Sequence, residues 1–448
     1  MGSETHESLR VEESLEEEIQ KALVHELTDV DIERAQLLLG IDTPRRSQEL
    51  FTEATPDAIR NWALGTGDDN PLFVDPSYGP GTRWGSQIGP GTLVGFIKSP
   101  MLGDPVPEEI KKQTKGLFRG VHVFVSGGTW DWYRPLYPGD RLMAFAGAES
   151  LEVKESEFAG RSVIQVRRDV MINQRGEVVG VYRILTVSTE RKKSRTKGKY
   201  AEIEPARYTD KDYERIDYIY GQEGPRGADR RYWEDVQLGD EIGPMVKGPL
   251  TVTDIHVFHM GGYGMVPYGL RTGRLAYKNR QRIKPFYIKN EYGIYDVAQR
   301  LHWDSEWAKG IGNPMAYDYG VMRQSWFFHH VSDWAGDDAC ILRLEDSIRK
   351  FNYIGDTQFL SGKVTGKRED LGRRVVDIEL HMVNQRDTET AFGAATVALP
   401  SREAGLPVYP PVPLELELQA AQMFARHNEL AEQRRQSPQI DRRTGRFD

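Results

Sequence analysis

The chain has 448 residues, of which 39% are hydrophobic, so it is long enough to form more than one core. Its net charge of −8 gives no overall attraction to nucleic acid or anionic lipid. A single cysteine, Cys340, excludes an intramolecular disulfide and a thiolate zinc cluster, and we predict that this thiol is buried and inert. The sequence shows no secretory signal and no apolar run of about 18 residues, which predicts a cytoplasmic protein without a membrane span.

Two similar halves are visible along the chain. Residues 1–45 place apolar side chains at helical spacing, which predicts an N-terminal helical extension. The segment ATPDAIRNWALGTG (54–67) then matches LTVTDIHVFHMGGY (250–263) at an offset of 196, and each copy predicts a short amphipathic helix that ends in glycine. Residues 403–448 contain the proline run LPVYPPVP (406–413) and predict a C-terminal helical arm.

The strands repeat in the same order as the helices. YRPLYPGDRLMAFAGAESLE (133–152) resembles RKFNYIGDTQFLSGKVTGKR (349–368), with a Pro-Gly-Asp or Ile-Gly-Asp turn before alternating residues. Residues 163–188 and 375–400 each predict a hairpin around a polar turn. We therefore predict two α+β domains, 46–195 and 232–402, each with two helices and about four antiparallel strands, connected by residues 196–231.

Two loops carry a family resemblance. GDDNPLFVDPSYGPGTRWGSQIGPGT (67–92) resembles the loop of the MaoC-like hydratase/dehydratase family, whose pattern is G-D-x-N-P-x-H-x-D. YDVAQRLHWDSEWAKGIGNPMAYDYGVMRQSW (295–326) resembles a diverged copy of it. The resemblance implies a tandem (double) hotdog, in which each half has a long central helix wrapped by an antiparallel sheet. It also implies that the first half is of the fatty-acid-synthase dehydratase type and that an acyl tunnel lies between the halves.

The same resemblance implies a hydro-lyase that acts on coenzyme A thioesters. In this family an Asp and a His, separated by four residues, hold a water molecule that adds to a 2-enoyl thioester or leaves a 3-hydroxyacyl thioester, with (3R) stereochemistry. A carboxylate and a neutral imidazole suit this step because together they can take a proton from water and return one to the α-carbon. Coenzyme A is part of the substrate, so we expect no separate cofactor and no metal, and we expect a homodimer or larger homo-oligomer.

The two loops differ in which of these groups they keep. In the first half Asp68 stands at the acid position, but Phe73 replaces the histidine, so we expect Asp68 to shape the loop and this site to be inactive. In the second half His302 is the predicted catalytic base, and Asp296 is the nearest upstream acid. Five residues separate the pair instead of four, which requires a bulge or a different acid. Gly320 is the predicted N–H donor to the thioester oxygen.

Further substrate contacts are predicted around the second loop. Tyr317, Asp318 and Tyr319 either line the thioester site or form a turn with aromatic packing. The insertion 265–293 is basic, with interleaved tyrosines, and Arg280 and Lys284 are predicted to bind the phosphates of coenzyme A. A solvated loop is the alternative interpretation of this insertion.

The remaining histidines are predicted to pack rather than react. His256 and His259 lie on one short helix without a third metal ligand at useful spacing. His329 and His330 lie in the predicted central helix of the second half, where we expect at most one to face the core.

Two other functions remain open at the level of sequence. One is a catalytically silent acyl-CoA-binding or scaffold subunit of a hydratase complex, which the altered Asp296–His302 spacing favours. The other is an acyl-CoA thioesterase on the same fold, which would need an acid or base in a different place.

Overall fold

The computed structural model describes residues 27–47, 49–118, 121–156, 160–189, 203–263, 270–310 and 313–436, with the short segments 440–441 and 446–447. Its α-helices are α1 (Asp29–Gln36), α2 (Pro56–Gly65), α3 (Pro71–Val74), α4 (Glu108–Gln113), α5 (Asp210–Tyr220), α6 (Val252–Phe258), α7 (Gly273–Arg282), α8 (Ser305–Gly310), α9 (Gly320–Ala335) and α10 (Leu414–Gln436). A π-helical turn, His259–Tyr263, continues α6.

The strands form one large sheet and two small pairs. They are β1 (Thr43–Pro44), β2 (His122–Trp132), β3 (Met143–Ser156), β4 (Gly160–Ile172), β5 (Val178–Thr189), β6 (Met245–Lys247), β7 (Tyr287–Lys289), β8 (Tyr295–Val297), β9 (Cys340–Ile348), β10 (Gln358–Asp370), β11 (Arg373–Asn384), β12 (Glu389–Ala398), β13 (Ile440–Asp441) and β14 (Arg446–Phe447). The ten-stranded sheet has the order β1-β3-β4-β5-β2-β9-β12-β11-β10-β6. The predicted run of four antiparallel strands is thus present in each half.

The two halves join edge to edge within this sheet. Strand β2, the first long strand of the first half, pairs antiparallel with β9, the first long strand of the second half, over Gly127–Asp131 and Arg343–Ser347. Because the equivalent strand of each half meets its counterpart, the halves face each other like the two subunits of a dimer. A helix packed on the middle of the sheet therefore contacts both halves.

The helices on the sheet are unequal. In the second half α9 is 16 residues long, and every residue from Val321 to Ala335 is buried. At the corresponding place in the described part of the first half there is a 3-10 segment, Gly91–Gly95, instead of a long helix. The long central helix expected in both halves is therefore present in the second half alone among the described residues.

Several smaller expectations can be compared with the structure. Cys340 is buried, and burial raises the pKa of its thiol to about 12, which suits an inert side chain. The C-terminal arm contains the predicted helix, α10, and the part of the N-terminal extension that is described contains α1. The predicted connection 196–231 is more structured than a linker because it contains α5. Residues 1–26, 196–202 and 265–269 of the predicted segments lie outside the described residues.

The repeated helices cross at two glycines that the sequence repeat had paired. A Cβ atom on Gly65 would lie 2.9 Å from the Cα of Gly261. A Cβ on Gly261 would lie 2.7 Å from the carbonyl oxygen of Asn61 and 2.8 Å from the Cα of Gly65. The backbones of α2 and the π-helical turn are therefore in direct contact, and neither position has room for a side chain.

This crossing predicts a stability effect. Gly261→Ala should lower the free energy of unfolding by about 1–3 kcal/mol, because the new methyl group has only backbone atoms to displace. Urea denaturation followed by circular dichroism measures the effect. Gly224→Ala is the matched control, since a Cβ there meets nothing within 4 Å. Equal stability of the two variants would contradict the close crossing.

Candidate functional site

His302 is held in a defined orientation at the end of the second loop. The loop runs from β8 into a 3-10 turn, Ala298–His302. The Nδ1 of His302 lies 2.8 Å from the carbonyl oxygen of Tyr317, so Nδ1 carries the proton and Nε2 keeps a free electron pair. Its ring packs 3.8 Å from the ring of Tyr319. Burial lowers the pKa of His302 to about 3, which leaves a neutral imidazole able to act as a base.

Gly320 is the first residue of α9, a short distance along the chain from the carbonyl that orients His302. N–H groups in the first helical turn have no acceptor within the helix and carry the positive end of its dipole. A Cβ on Gly320 would lie 3.0 Å from Ile348 and 3.1 Å from Val125, so the position is closely covered. The segment 317–320 therefore supplies both the anchor for the imidazole and the N–H of Gly320 at the start of α9.

The carboxylate of Asp296 contacts Val297 and Arg300 instead of His302. Its Oδ1 accepts the N–H of Val297 at 2.8 Å, and its Oδ2 lies 3.2 Å from Arg300. No carboxylate oxygen of Asp296 lies within 4.0 Å of a ring nitrogen of His302. Arg300 also binds Asp304 and Glu291, so it gathers the acidic side chains of this loop. The partnership of Asp296 with His302 remains a prediction.

The three residues before Gly320 have different environments. The Tyr317 ring packs on His302 and Phe351, with centroids 4.8 and 4.6 Å away. The Tyr319 hydroxyl accepts a hydrogen bond from Gln299 Nε2 at 2.8 Å and lies 2.8 Å from His259 Nε2. Both tyrosines therefore border His302.

Asp318 is occupied by partners inside the protein. Arg323 donates to both of its oxygens, at 2.8 and 2.7 Å, and Asn352 donates to Oδ2 at 2.9 Å. Both members of the Asp318–Arg323 pair are buried. This carboxylate stabilises the turn that leads into α9, and a substrate contact would have to compete with three donors.

The basic insertion lies beside the second loop. The guanidinium of Arg280 stacks 4.5 Å from the ring of Tyr295 in β8, and Lys284 is exposed at the start of a 3-10 turn, Lys284–Phe286. Both side chains are near the surface, as a phosphate contact requires. Their role in binding coenzyme A stays a prediction.

A second group of ionisable side chains spans the two halves. It is formed by Asp68 in the loop after α2, Lys247 in β6, and His329 and Asp333 in α9. Nε2 of His329 lies 3.7 Å from Asp68 Oδ1 and 3.2 Å from Asp333 Oδ2. Nζ of Lys247 lies 2.8 Å from His329 Nδ1 and donates to the carbonyl oxygen of Gly67 at 3.0 Å. We call these four residues the cross-half cluster.

The cross-half cluster is buried, and burial disfavours the charged form of each of its side chains. Burial raises the pKa of Asp68 and of Asp333, the latter to about 7, and lowers that of Lys247. Burial also lowers the pKa of His329 to about 4. His329 Nε2 and Asp333 Oδ1 lack an aligned hydrogen-bond partner. One ligand atom from each of Asp68, His329 and Asp333 lies within 4.8 Å of the others, a spacing that a metal ion also uses, although the Lys247 ammonium group beside His329 disfavours a cation.

A cleft with a cavity volume of about 50 Å³ lies beside this cluster. Asn70 and Phe73 line it from the first loop, and Phe328 and Ser332 line it from α9. The cavity exceeds the volume of about 10–15 Å³ that is needed to hold one water molecule. The remaining walls are mostly apolar and include Val94, Trp132, Leu136 and Ile341.

The structure of α9 corrects one expectation and extends another. Both His329 and His330 are buried, where at most one was expected to be, because α9 is covered on all sides. His330 Nε2 lies 2.7 Å from the carbonyl oxygen of Gly243. Asp68 does shape its loop, accepting the N–H of Asn70 at 3.1 Å, but it also faces an imidazole. The spacing of His329 and Asp333, four residues apart on one helix, was the signal available in the sequence.

Comparisons with known proteins bear on the fold and the reaction class of the relatives. Residues 45–181 match the family model described as a FAS1-like dehydratase domain region. A MaoC-like dehydratase of known structure superimposes with a TM-score of 0.53 at 14% identity, covering 82% of this chain and 99% of the other. The chain has the double-hotdog fold of the MaoC-like dehydratases. The predicted resemblance and the predicted fold class are confirmed.

Two curated relatives match parts of this double-hotdog chain. A probable enoyl-CoA hydratase alpha subunit of Thermomonospora curvata is 27% identical over 164 residues, which cover 34% of this chain and 49% of that protein. A UPF0336 protein of Streptomyces avermitilis is 28% identical over 119 residues, covering 26% of this chain and 73% of that protein. The match thus spans about half the length of the hydratase subunit. Among the helices of the described residues, none has the length and apolar character needed to cross a membrane.

The buried Asp318–Arg323 pair predicts a large stability effect. Asp318→Asn should lower the free energy of unfolding by about 3–5 kcal/mol, because it leaves the buried guanidinium of Arg323 without a counter-charge. Chemical denaturation measures the change. Asp235→Asn, which breaks the exposed pair with Arg402, is the control and should leave stability unchanged within error. A stable Asp318→Asn variant would indicate that Asp318 is free to serve a substrate.

Proposed function

We propose that this protein is an enoyl-CoA hydratase/3-hydroxyacyl-CoA dehydratase that adds or removes water at a 2-enoyl thioester, with (3R) stereochemistry. The observation that carries the proposal is the joint placement of His302 and Gly320 by one short segment. The Tyr317 carbonyl fixes the imidazole, and three residues later Gly320 begins α9. The match to a dehydratase domain region and to a probable enoyl-CoA hydratase subunit supports the same reaction class.

The chemistry follows from the protonation state of His302. The free electron pair on Nε2 accepts a proton from water as the water oxygen bonds to C3 of the enoyl group. Negative charge develops on the thioester oxygen, and the N–H of Gly320 donates to it there. The proton then returns to C2, which completes the addition, and the reverse order of steps gives dehydration.

Side chains around His302 and Gly320 would bind the rest of the substrate. Tyr317 and Tyr319 would flank the reacting thioester because both rings pack on His302. Arg280 and Lys284 would bind the phosphates of coenzyme A, since they place two positive charges on the insertion that borders β8. Under this proposal Asp296 helps to orient the water once a bound substrate draws it away from Arg300.

One observation favours a second candidate, a catalytically silent acyl-CoA-binding subunit. The carboxylate of Asp296 is already paired with Arg300, and none of its oxygens is close to a His302 nitrogen. A silent subunit would bind a coenzyme A ester tightly in calorimetry and turn over no enoyl-CoA, whereas a hydratase would consume it.

Removal of the imidazole tests the proposed base. His302→Gln should lower kcat by about 10²–10⁴-fold, the usual contribution of a general acid–base group. Turnover is followed by loss of the conjugated enoyl-thioester absorbance. His381→Gln, which changes a histidine on β11 paired with Glu389, is the control and should keep full activity. Because the pKa of His302 is about 3, its deprotonation should add no inflection to kcat/KM between pH 5 and 8. An unchanged kcat in His302→Gln would exclude His302 as the base.

A separate pair of variants tests Asp296. If Asp296 orients the water, Asp296→Asn should lower kcat by at least about 10-fold with little change in thermal stability, since the side chain is partly exposed. Asp304→Asn is the matched control, because it removes another of the carboxylates that contact Arg300. Equal activity of the two variants would assign Asp296 to the ion pair alone.

A further inference from the structure

The face of the His302 imidazole packs against the ring of Tyr319. The two ring centroids lie 3.8 Å apart, and the ring planes are inclined by 32°. The hydrogen bond from His302 Nδ1 to the carbonyl oxygen of Tyr317 restrains the same imidazole at one edge. Because contact with Tyr319 restrains its face, the direction in which His302 Nε2 points depends on where the Tyr319 ring is held.

Two side chains hold the hydroxyl group of Tyr319. Gln299 Nε2 donates to the hydroxyl oxygen at 2.8 Å, and His259 Nε2 lies 2.8 Å from the same oxygen. A phenol that accepts from an amide keeps its own proton, and a neutral imidazole nitrogen can accept that proton. We call these two hydrogen bonds the Tyr319 tether. The tether connects the residue before α9 with the 3-10 turn of the second loop and with the π-helical turn after α6.

His259 is itself held next to the proposed base. Its ring lies edge-on to the rings of Trp303 and Tyr263, with centroids 5.8 Å apart in both cases. It is the first residue of the π-helical turn, and π-helical turns are rare and occur frequently at functional sites. Burial is the main cause of the low pKa of His302, and the neighbouring His259 lowers that pKa further. The π-helical turn therefore brings a second imidazole to the surroundings of His302.

The internal repeat indicates that the tether accompanies the catalytic imidazole. At the offset of 196, His259 corresponds to Ala63, whose methyl group cannot accept a hydrogen bond. The first half also has Phe73 at the histidine position of its loop. The half that lacks the base thus lacks the tether residue as well, whereas the second half has both His302 and His259.

We propose that His259 and Gln299 are positioning residues for the hydration of the enoyl thioester: they hold the Tyr319 hydroxyl, and the Tyr319 ring keeps Nε2 of His302 directed at the substrate. This inference rests on the proposed function, because it names the side chains that orient its base. A misplacement of about 1 Å in a reacting group can lower a rate by about 100-fold. Side chains that never touch the substrate can therefore control kcat through the imidazole.

A double-mutant cycle tests whether His259 acts through the Tyr319 hydroxyl. Tyr319→Phe keeps the ring and removes the hydroxyl, while His259→Leu removes the acceptor. Each should lower kcat for an enoyl-CoA by about 10–100-fold with little change in KM. Adding His259→Leu to Tyr319→Phe should cause no further loss, because both changes break the same hydrogen bond. Additive losses, or wild-type kcat in either single variant, would overturn the tether.

A conservative replacement separates positioning from folding. His259→Gln puts an amide oxygen near the place of Nε2, so its kcat should stay close to that of the wild type while His259→Leu loses activity. His256→Gln is the matched control, since His256 is exposed on α6 and its Nδ1 contacts the carbonyl oxygen of Val252. It should keep full activity. Equal losses in His259→Gln and His259→Leu, with both variants folded by circular dichroism, would contradict the tether.

Nitrogen NMR of the histidine rings tests the positioning without a substrate. In the wild type, His302 should show the chemical shifts of one tautomer, with the proton on Nδ1, because that nitrogen donates to Tyr317. His302→Gln identifies this signal by its loss. His259→Leu and Tyr319→Phe should broaden the signal or shift it toward the average of the two tautomers, and His259→Gln should leave it in place. An unchanged His302 signal in His259→Leu and Tyr319→Phe would overturn the tether in an active hydratase. Absence of enoyl-CoA turnover in the wild type, with the expected NMR changes, would instead contradict the proposed function.

Discussion

The burial of α9 is the constraint on which the rest of the structure depends. Every residue from Val321 to Ala335 is buried, including several polar and charged side chains. A buried polar group left without a partner costs about 1–3 kcal/mol, so the helix depends on partners supplied from outside it. Gln324 accepts from Trp130 and Tyr182 of the first half, and Ser325 lies 3.2 Å from Thr92. The helix is therefore a shared core element of both halves.

The same constraint accounts for the inequality of the two halves. A side chain on Gly91 would lie 2.7 Å from both Phe328 of α9 and Trp132 of β2. The place at which a first central helix would begin is filled by aromatic side chains from α9 and the sheet. The first half therefore keeps a 3-10 segment there, anchored by a hydrogen bond of 3.2 Å from Trp62 Nε1 to Thr92. One long helix occupies the centre, and the cleft lies along it.

The sequence predicted those parts of the structure that depend on residues close together in the chain or on the internal repeat. Alternating residues predicted the strand hairpins, and the repeat with its offset of 196 paired Gly65 with Gly261, which lie in contact. The prediction that at most one of His329 and His330 faces the core was wrong, because helical periodicity assumes an exposed face. Both side chains are buried. Lys247 carried no local signal, since its hydrogen bond to Gly67 spans 180 residues. Contacts between the halves are set by packing, which a linear pattern does not record.

The cross-half cluster is costly to bury, and that cost is informative about its role. Replacing buried charged groups by apolar residues of similar volume is often neutral or stabilising by about 1–4 kcal/mol. The apolar Phe73 and Phe328 rings, 6.3 Å apart beside the cluster, show that this interface accommodates such packing. Yet Asp68, Lys247 and His329 remain charged or polar, and the Nε2 of His329 lies 3.7 Å from Asp68 and 3.2 Å from Asp333. Packing alone therefore does not account for these residues, whose contacts connect the loop after α2 with β6 and α9 across the two halves.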